Sequence, residues 1–279
     1  QQLWLGNAPL EGKTILLHSE QGYGDTLHFC RYAKLVAALG ARVILEVQPT
    51  LLPLLANLEG THQVIPKGDA LPHFDYHCPL LSLPLAFKTD LETIPADIPY
   101  VFSDTTHAAM WRDKLGKKTR LRVGLVWSGS PAQANDHNRS IALAQLLPLL
   151  HEGVEWISLQ QDVRASDAGL LSQRTDIRQF GDQLKDFADT AALVESMDIV
   201  VTVCTSVAHL AGAMGKPTWV LLCFNADWRW LLDRADSPWY PTARLFRQPA
   251  IGDWTTVISS VSKELAKYDL MQRGFVQNA

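Results

Sequence analysis

Three loops carry the residue types that do chemistry. The first, Gly22-Tyr23-Gly24-Asp25, follows an apolar run, Thr14-Ile15-Leu16-Leu17-His18, and opens a helical segment. Free N–H groups at such a helix start favour an anion, as in phosphate-cradling turns. Leu27 stands where the third glycine of a dinucleotide fingerprint belongs and no Walker lysine follows, so that fingerprint is not supported. Two glycines remain that admit a ligand to the backbone, with one carboxylate beside them. By residue type, Asp25 reads either as a helix cap, the commoner fate, or as a general base facing a cleft.

The second loop, residues 128–140, carries Ser128, Gly129, Ser130, Asn135, Asp136, His137, Asn138 and Arg139. Hydroxyls and an arginine beside a helix start can hold a pyrophosphate by charge-assisted hydrogen bonds. The bland alternative is a solvated polar loop, although this one is longer than most strand-to-helix connections.

The third loop lies in the stretch the chain is organised around, residues 198–215. Ile199-Val200-Val201-Thr202-Val203 is β-branched throughout and reads as a strand buried on both faces. Cys204-Thr205-Ser206 then opens a helix that carries His209 and ends at Gly215 and Pro217. Ligands of open α/β sheets sit at such carboxyl strand ends. Cys204 at a helix start could act as a nucleophile. However, no flanking glycines build an elbow, and one turn of helix gives poor geometry for a Cys204–His209 pair. His209 reads as a ligand contact or as a satisfied core histidine, the latter being commoner. The aromatic segment Asp227-Trp228-Arg229-Trp230 with Trp239-Tyr240-Pro241 reads equally as a lid or as a platform for a ring.

The elements that must position these loops form two α/β series. Strands are expected at 14–18, 42–47 and 63–65, with helices at 26–39 and 50–58 and short strands near Tyr76 and Tyr100 in a proline-rich stretch. After a helix at 105–115 and a linker at 116–119, strands are expected at 122–127, 154–159, 176–180, 199–203, 218–222 and 243–246. The intervening helices are expected at 142–151 and 186–197, and a final one at 254–268. Two successive series with parallel strands indicate two facing Rossmann-like domains.

The 279 residues are 47% apolar and 19% charged, the balance of a globular protein. A net charge of −4 without a long basic run argues against a nucleic-acid surface. Cys30, Cys78, Cys204 and Cys223 lack metal-ligand spacing, so no metal site is expected, and scattered thiols suit a reducing compartment. No signal or transit pattern and no membrane span are read, and a chain opening on Gln1 reads as a fragment or processed form.

Several motifs in order carry a resemblance. They are Glu20-Gln21-Gly22-Tyr23-Gly24-Asp25-Thr26-Leu27, Gly124-Leu125-Val126-Trp127-Ser128-Gly129, Asn138-Arg139-Ser140-Ile141, Ser158-Leu159-Gln160, Asp189-Thr190-Ala191-Ala192, Thr205-Ser206-Val207-Ala208-His209-Leu210-Ala211-Gly212-Ala213, Asp227-Trp228-Arg229-Trp230, and Trp239-Tyr240-Pro241 with Arg244-Leu245-Phe246-Arg247-Gln248. With these the chain resembles the C-terminal glycosyltransferase region of bacterial tetratricopeptide-repeat proteins, which is related to the heptosyltransferases of lipopolysaccharide synthesis.

The resemblance implies a glycosyltransferase-B fold. Residues 1–118 would form an acceptor-side domain and 119–279 a nucleotide-sugar-binding domain, with the last helix able to pack back on the first. It implies a cytoplasmic, metal-independent, inverting transfer of sugar from a nucleotide-diphosphate donor to an acceptor hydroxyl, with no cofactor beyond that co-substrate. The acceptor (protein, lipid or glycan) is open, and a repeat region outside this chain is an implied partner. Asp25 would be the general base and Arg139 would stabilise the leaving diphosphate. Gly22, Gly24, Ser128, Gly129, Gln160, Cys204, Thr205, Ser206 and His209 would bind the donor. One position departs from the family pattern: Cys204 stands where an aspartate is usual. The alternative to an active enzyme is therefore a nucleotide- or sugar-binding module with impaired turnover.

Overall fold

The computed structural model describes the backbone of residues 1–276 and the side chains of residues 1–270. The first half contains strands β1 (Gln2–Leu3), β2 (Thr14–His18), β3 (Arg42–Val47), β4 (Gln63–Pro66) and β5 (Tyr76–Pro79), and helices α1 (Tyr23–Phe29), α2 (Tyr32–Ala37), α3 (Leu52–Leu55), α4 (Leu83–Ala86) and α5 (Thr105–Leu115). The second half contains β6 (Leu121–Val126), β7 (Val154–Ser158), β8 (Ile177–Gln179), β9 (Ile199–Val203), β10 (Thr218–Leu222) and β11 (Ala243–Arg247). Its helices are α6 (Asp136–Arg139), α7 (Leu143–Leu146), α8 (Ala165–Ser172), α9 (Phe187–Glu195), α10 (Ser206–Ala213) and α11 (Trp254–Val276).

The strands form two parallel sheets, ordered β1-β5-β2-β3-β4 and β11-β10-β9-β6-β7-β8. The second order is that of a doubly wound dinucleotide fold, and its direction reverses between β6 and β9. Every residue of β6, β9 and β10 is buried, as central strands covered on both faces require. In the first sheet the reversal falls between β2 and β5. The three chemical loops leave the carboxyl ends of β2, β6 and β9, all strands at a reversal.

The two halves share a core. Leu27 and Phe29 of α1 lie in one buried cluster with Val207, Ala208, Leu210 and Ala211 of α10. A second cluster fills the far face of the larger sheet, where Trp254, Val257, Ile258, Val261 and Leu265 pack on strand residues such as Val201 and Leu221. The described part of the last helix thus lies on the second sheet, through its contacts with β11 and α7, rather than back on the first half.

Several elements differ from the sequence expectation. The helix expected over 26–39 is divided at Cys30-Arg31, where Ala33 N–H bonds the Cys30 carbonyl and the Arg31 guanidinium takes the His28 carbonyl at 2.8 Å. No strand forms at Tyr100. Its N–H and that of Val101 instead bond the Ala213 carbonyl, at 3.0 and 3.3 Å, and satisfy the end of α10. The segments at 50–58 and 142–151 shorten to single α-turns with 3-10 turns beside them, each carrying a proline (Pro53, Pro148) that lacks an N–H. The helix expected from 186 begins there as expected, with Asp186 as its cap, accepting from Ala188 and Asp189 N–H at 2.8 and 3.0 Å. Gly215, at φ 71°, turns the chain after α10 in the left-handed region that favours glycine.

Candidate functional site

A cleft of about 940 Å³ separates the loops of the two sheets. Gly22, Gly24 and Asp25 line it from the first half. Ser128, Gly129, Arg139, Gln160, Cys204, Thr205, Ser206 and His209 line it from the second. These eleven residues therefore share one cavity, although they come from five separate chain segments.

On the first wall, Asp25 has both of its carboxylate oxygens engaged. Oδ2 accepts the Gly22 N–H at 2.9 Å, which makes Asp25 a cap at the third position of α1. Oδ1 meets Nη2 of Arg229, from the opposite half, at 2.5 Å. Cap and candidate base are thus one side chain. Each oxygen has two lone pairs, so neither bond exhausts it as a proton acceptor. Gly24 lies directly under α10: a Cβ there would sit 2.8 Å from His209 Cδ2 and 3.4 Å from Ser206 Cα. Only glycine lets the two helix starts approach this closely.

On the second wall the loop after β6 is shaped by Gln160. Its Oε1 accepts from Trp127 and Ser128 N–H at 3.3 and 3.2 Å, and its Nε2 donates to the Ser128 and Asp162 carbonyls at 2.9 and 3.0 Å. Gln160 is therefore a loop former whose polar atoms are all taken. Ser128 is different: its Oγ is buried at the cleft wall with no partner among the described residues. A Cβ on Gly129 would fall on the Arg139 guanidinium, so glycine makes room for that side chain.

Arg139 is tied by Nη1 to the Cys204 carbonyl at 2.8 Å and by Nε to Asp136 at 3.2 Å. Its Nη2 has only a 3.5 Å contact with the Ser130 carbonyl and faces the cleft. Asp136 also pairs with Arg164, a second cleft arginine whose Nη2 reaches Ser140 Oγ at 2.9 Å. Lys185 lines the same wall. Sequence reasoning singled out neither Arg164 nor Lys185, and no local spacing marks them.

The α10 start is only partly capped. Thr205 is the N-cap residue, yet its hydroxyl turns away to Thr202 Oγ1 at 3.2 Å and makes no cap bond. The first N–H groups of an eight-residue helix are left toward the cleft, where they favour an anion.

Cys204 is not arranged as a nucleophile. Its Sγ accepts the Trp230 indole N–H at 3.1 Å, and burial pushes its thiol up to about 11. His209 points its Nδ1 to the Tyr240 hydroxyl at 3.0 Å instead, so no Cys–His pair forms.

His209 belongs to a buried polar array at the junction of the halves. Tyr240 Oη is also 2.9 Å from His28 Nδ1 of α1. A phenol has one proton, so it donates to one imidazole and accepts from the other. Burial, followed by the positive charge of Arg229, depresses His209 to about 3. His28 is held well below its ordinary value by burial and then by Arg31. Both rings are neutral near pH 7. Trp230 stacks on His209 at 5.4 Å, and Arg31 lies over the rings of Tyr100 and Tyr240 at 4.5 and 4.6 Å. The aromatic segment left open in the sequence thus divides: Trp230, Trp239 and Tyr240 are buried junction residues, while Trp228 is exposed.

Among the described residues, no group of three or more His, Cys, Asp or Glu side chains is arranged to hold a metal ion, and no helix is long and apolar enough to cross a membrane. No protein-family model matches the chain. Protein FlbA of Caulobacter vibrioides is 26% identical over 289 residues, covering 95% of this chain and 48% of that protein. The chain thus spans about half the length of the curated relative it matches. ADP-heptose lipopolysaccharide heptosyltransferase II of E. coli is similar in structure, with a TM-score of 0.63 and 14% identity over 93% of this chain and 99% of that one. The family 9 glycosyl transferase of Veillonella parvula has a TM-score of 0.63 and 10% identity, over 95% and 98% of the two chains. The E. coli heptosyltransferase WaaC with ADP has a TM-score of 0.59 and 11% identity, over 91% and 99%. The chain has the α/β fold of these glycosyltransferases, the glycosyltransferase-B type, built on two parallel sheets that face each other across a cleft.

Proposed function

We propose that the protein is a glycosyltransferase that moves a sugar from a nucleotide-diphosphate donor to an acceptor hydroxyl, with inversion and without a metal. One observation carries the reading: a carboxylate from the first sheet's reversal and an open helix start from the second sheet's reversal line the same cleft. The structural neighbours include heptosyltransferases whose names specify ADP-heptose or ADP, which supports a nucleotide diphosphate on the α10 side.

In this mechanism Asp25 accepts the proton of the acceptor hydroxyl as its oxygen attacks the anomeric carbon. The bond from that carbon to the diphosphate oxygen breaks, and its electron pair leaves with the phosphate. The N–H groups of Ser206 and Val207 and the Arg139 Nη2, held only by its 3.5 Å contact with the Ser130 carbonyl, would take the charge that develops there. The buried Ser128 hydroxyl, lacking a protein partner, offers the donor a further hydrogen bond. Thr205 and Gln160 act indirectly, since their polar atoms are turned to the protein. The acceptor, protein, lipid or glycan, would be selected with help from a repeat region outside this chain, in the cytoplasm.

The second reading, a binding module with impaired turnover, is favoured by one feature: at position 204 a thiol that accepts an indole N–H takes the place of a carboxylate. A panel of UDP, GDP, ADP and their sugars, followed by thermal shift and by donor turnover, separates the two. A ligand that binds only the folded state raises its melting point. Stabilisation together with turnover is expected, and Asp25→Asn should lower transfer by about 10²- to 10⁴-fold. Tight binding without turnover of any donor would establish the module, and normal transfer by Asp25→Asn would remove the base assignment.

A further inference from the structure

Asp25 is oriented from two sides, and one of them lies on the other half of the protein. Arg229 reaches it from the 3-10 turn Trp228–Trp230, 204 positions along the chain. The Arg229 side chain is only 6% exposed, against 22% for Asp25. Its Nη1 is gripped by both oxygens of Asp227, at 3.0 and 3.2 Å, while Nη2 points to Asp25 Oδ1. The guanidinium carbon lies 4.6 Å from the Trp228 ring centroid and 5.2 Å from that of Phe29, beside two rings that stack on each other at 6.4 Å.

The turn itself is locked. Asp227 Oδ1 also accepts the Arg229 N–H at 3.0 Å. Leu231 follows at φ 54° and ψ −167°, a backbone region that residues with a side chain rarely adopt. Surrounding packing must hold such a residue in place, and strain of this kind gathers where a side chain has to be aimed.

From this geometry we infer that Arg229 is a positioning residue for sugar transfer, fixing the Asp25 carboxylate from across the cleft so that its open edge faces the acceptor. The inference rests on the glycosyltransferase reading. With Oδ2 on the Gly22 N–H and Oδ1 on Arg229, rotation about the Cβ–Cγ bond is blocked, and the carboxylate is aimed only while the two halves are apposed. The planar fork of arginine is needed because two carboxylates must be engaged at once, one by each Nη atom. A lysine ammonium is a single point charge and holds them less well.

The experiment measures steady-state transfer, using whichever UDP-, GDP- or ADP-sugar the wild-type chain turns over, in Arg229→Gln, Arg229→Lys, Asp25→Asn and the Asp25→Asn/Arg229→Gln double variant. Arg229→Gln should lower kcat by roughly 10²-fold, the effect of an ångström-scale misplacement, while the donor KM changes by less than about twofold. Arg229→Lys should recover about tenfold of that loss, because it keeps the charge without the fork. The double variant should be no slower than Asp25→Asn alone, because a residue that acts only through its partner adds nothing once the partner is gone. If Arg229→Gln fails to fold, Arg229→Lys carries the test through its kcat, which should fall about tenfold below wild type with KM unchanged.

Losses that multiply in the double variant would overturn the proposal, as would a rise in KM at constant kcat or a wild-type rate in Arg229→Gln. Those results leave the glycosyltransferase reading standing. A wild-type chain that turns over none of the donors, or a fully active Asp25→Asn, overturns that reading and this one with it.

Discussion

Acidification should destabilise this protein well before its carboxylates protonate, because two imidazoles are buried neutral at the junction of the halves. His209 is 6% exposed and depressed to about 3 by burial and by Arg229, whereas in the unfolded chain it titrates near 6.5. Above pH 6.5 the ring is neutral in both states and its titration has no effect on stability. Below 6.5 the unfolded chain takes up a proton that the folded chain refuses, so stability falls as pH falls, at about 1.4 kcal/mol per pH unit, until the folded value near 3 is reached. Between pH 7 and pH 5 this amounts to about 2 kcal/mol from His209 alone. His28, held down by burial and Arg31, adds a loss of the same sign. Tyr240 does not relieve the cost, because its phenol oxygen can accept from an imidazolium but carries no charge to offset it. Urea unfolding followed by tryptophan fluorescence at pH 7, 6 and 5 measures the slope, and His209→Gln should reduce it by about one proton. A stability that is flat from pH 7 to 5, or a slope unchanged in His209→Gln, would refute the assignment of neutral buried histidines.

Two further perturbations probe the same junction and its neighbour. Tyr240→Phe removes the hydroxyl shared by His28 and His209 and leaves two buried ring nitrogens unpaired, which should destabilise the fold by about 2–4 kcal/mol in urea titrations at pH 7.5; a change below about 0.5 kcal/mol would show the array to be energetically idle. Cys204, pushed to about 11 by burial, is thiolate in fewer than about one molecule in a thousand at pH 7.5, so iodoacetamide should leave it unmodified in the folded protein; rapid carbamidomethylation mapped to Cys204 by mass spectrometry would revive a nucleophilic role.

What could be read from the chain was local and periodic. The run 199–203 has β-branched residues at every position and proves to be a strand buried on both faces, and Gly215 marks the end of the helix that follows. The loops after β2, β6 and β9 were legible because strand-to-helix junctions at a sheet reversal are where a cleft opens. What could not be read depends on residues remote in sequence. The break between α1 and α2 is made by a side chain, Arg31, which bonds the His28 carbonyl and also reaches the Trp239 carbonyl 208 positions away. Arg164 enters the site through Asp136 and Ser140, 24 or more positions away, and Arg229 because the halves close on Asp25. The short α8 lacks a clear apolar stripe: only Asp167 and Leu171 are buried, and Asp167 is there to bond the Trp127 indole and the Leu143 N–H.

Position 204 lies where several of these contacts meet. Its surroundings are rich in donors: the Trp230 indole N–H reaches the thiol itself, and Arg139 holds the adjoining carbonyl. A carboxylate there would draw on both, competing for Arg139 with any ligand in the cleft. With a thiol at 204, Arg139 Nη2 keeps only its 3.5 Å contact with the Ser130 carbonyl, and position 204 adds no fixed negative charge beside the α10 start. By Coulomb's law, removing a like charge favours an incoming anion. Electrostatics therefore predicts that Cys204 strengthens the hold on a diphosphate. What the thiol gives up is a carboxylate's capacity to accept several hydrogen bonds at once, from sugar or phosphate-adjacent hydroxyls. Any functional effect of the exchange should accordingly appear in how the transferred sugar is oriented, and so in the rate of the chemical step, before it appears in nucleotide affinity.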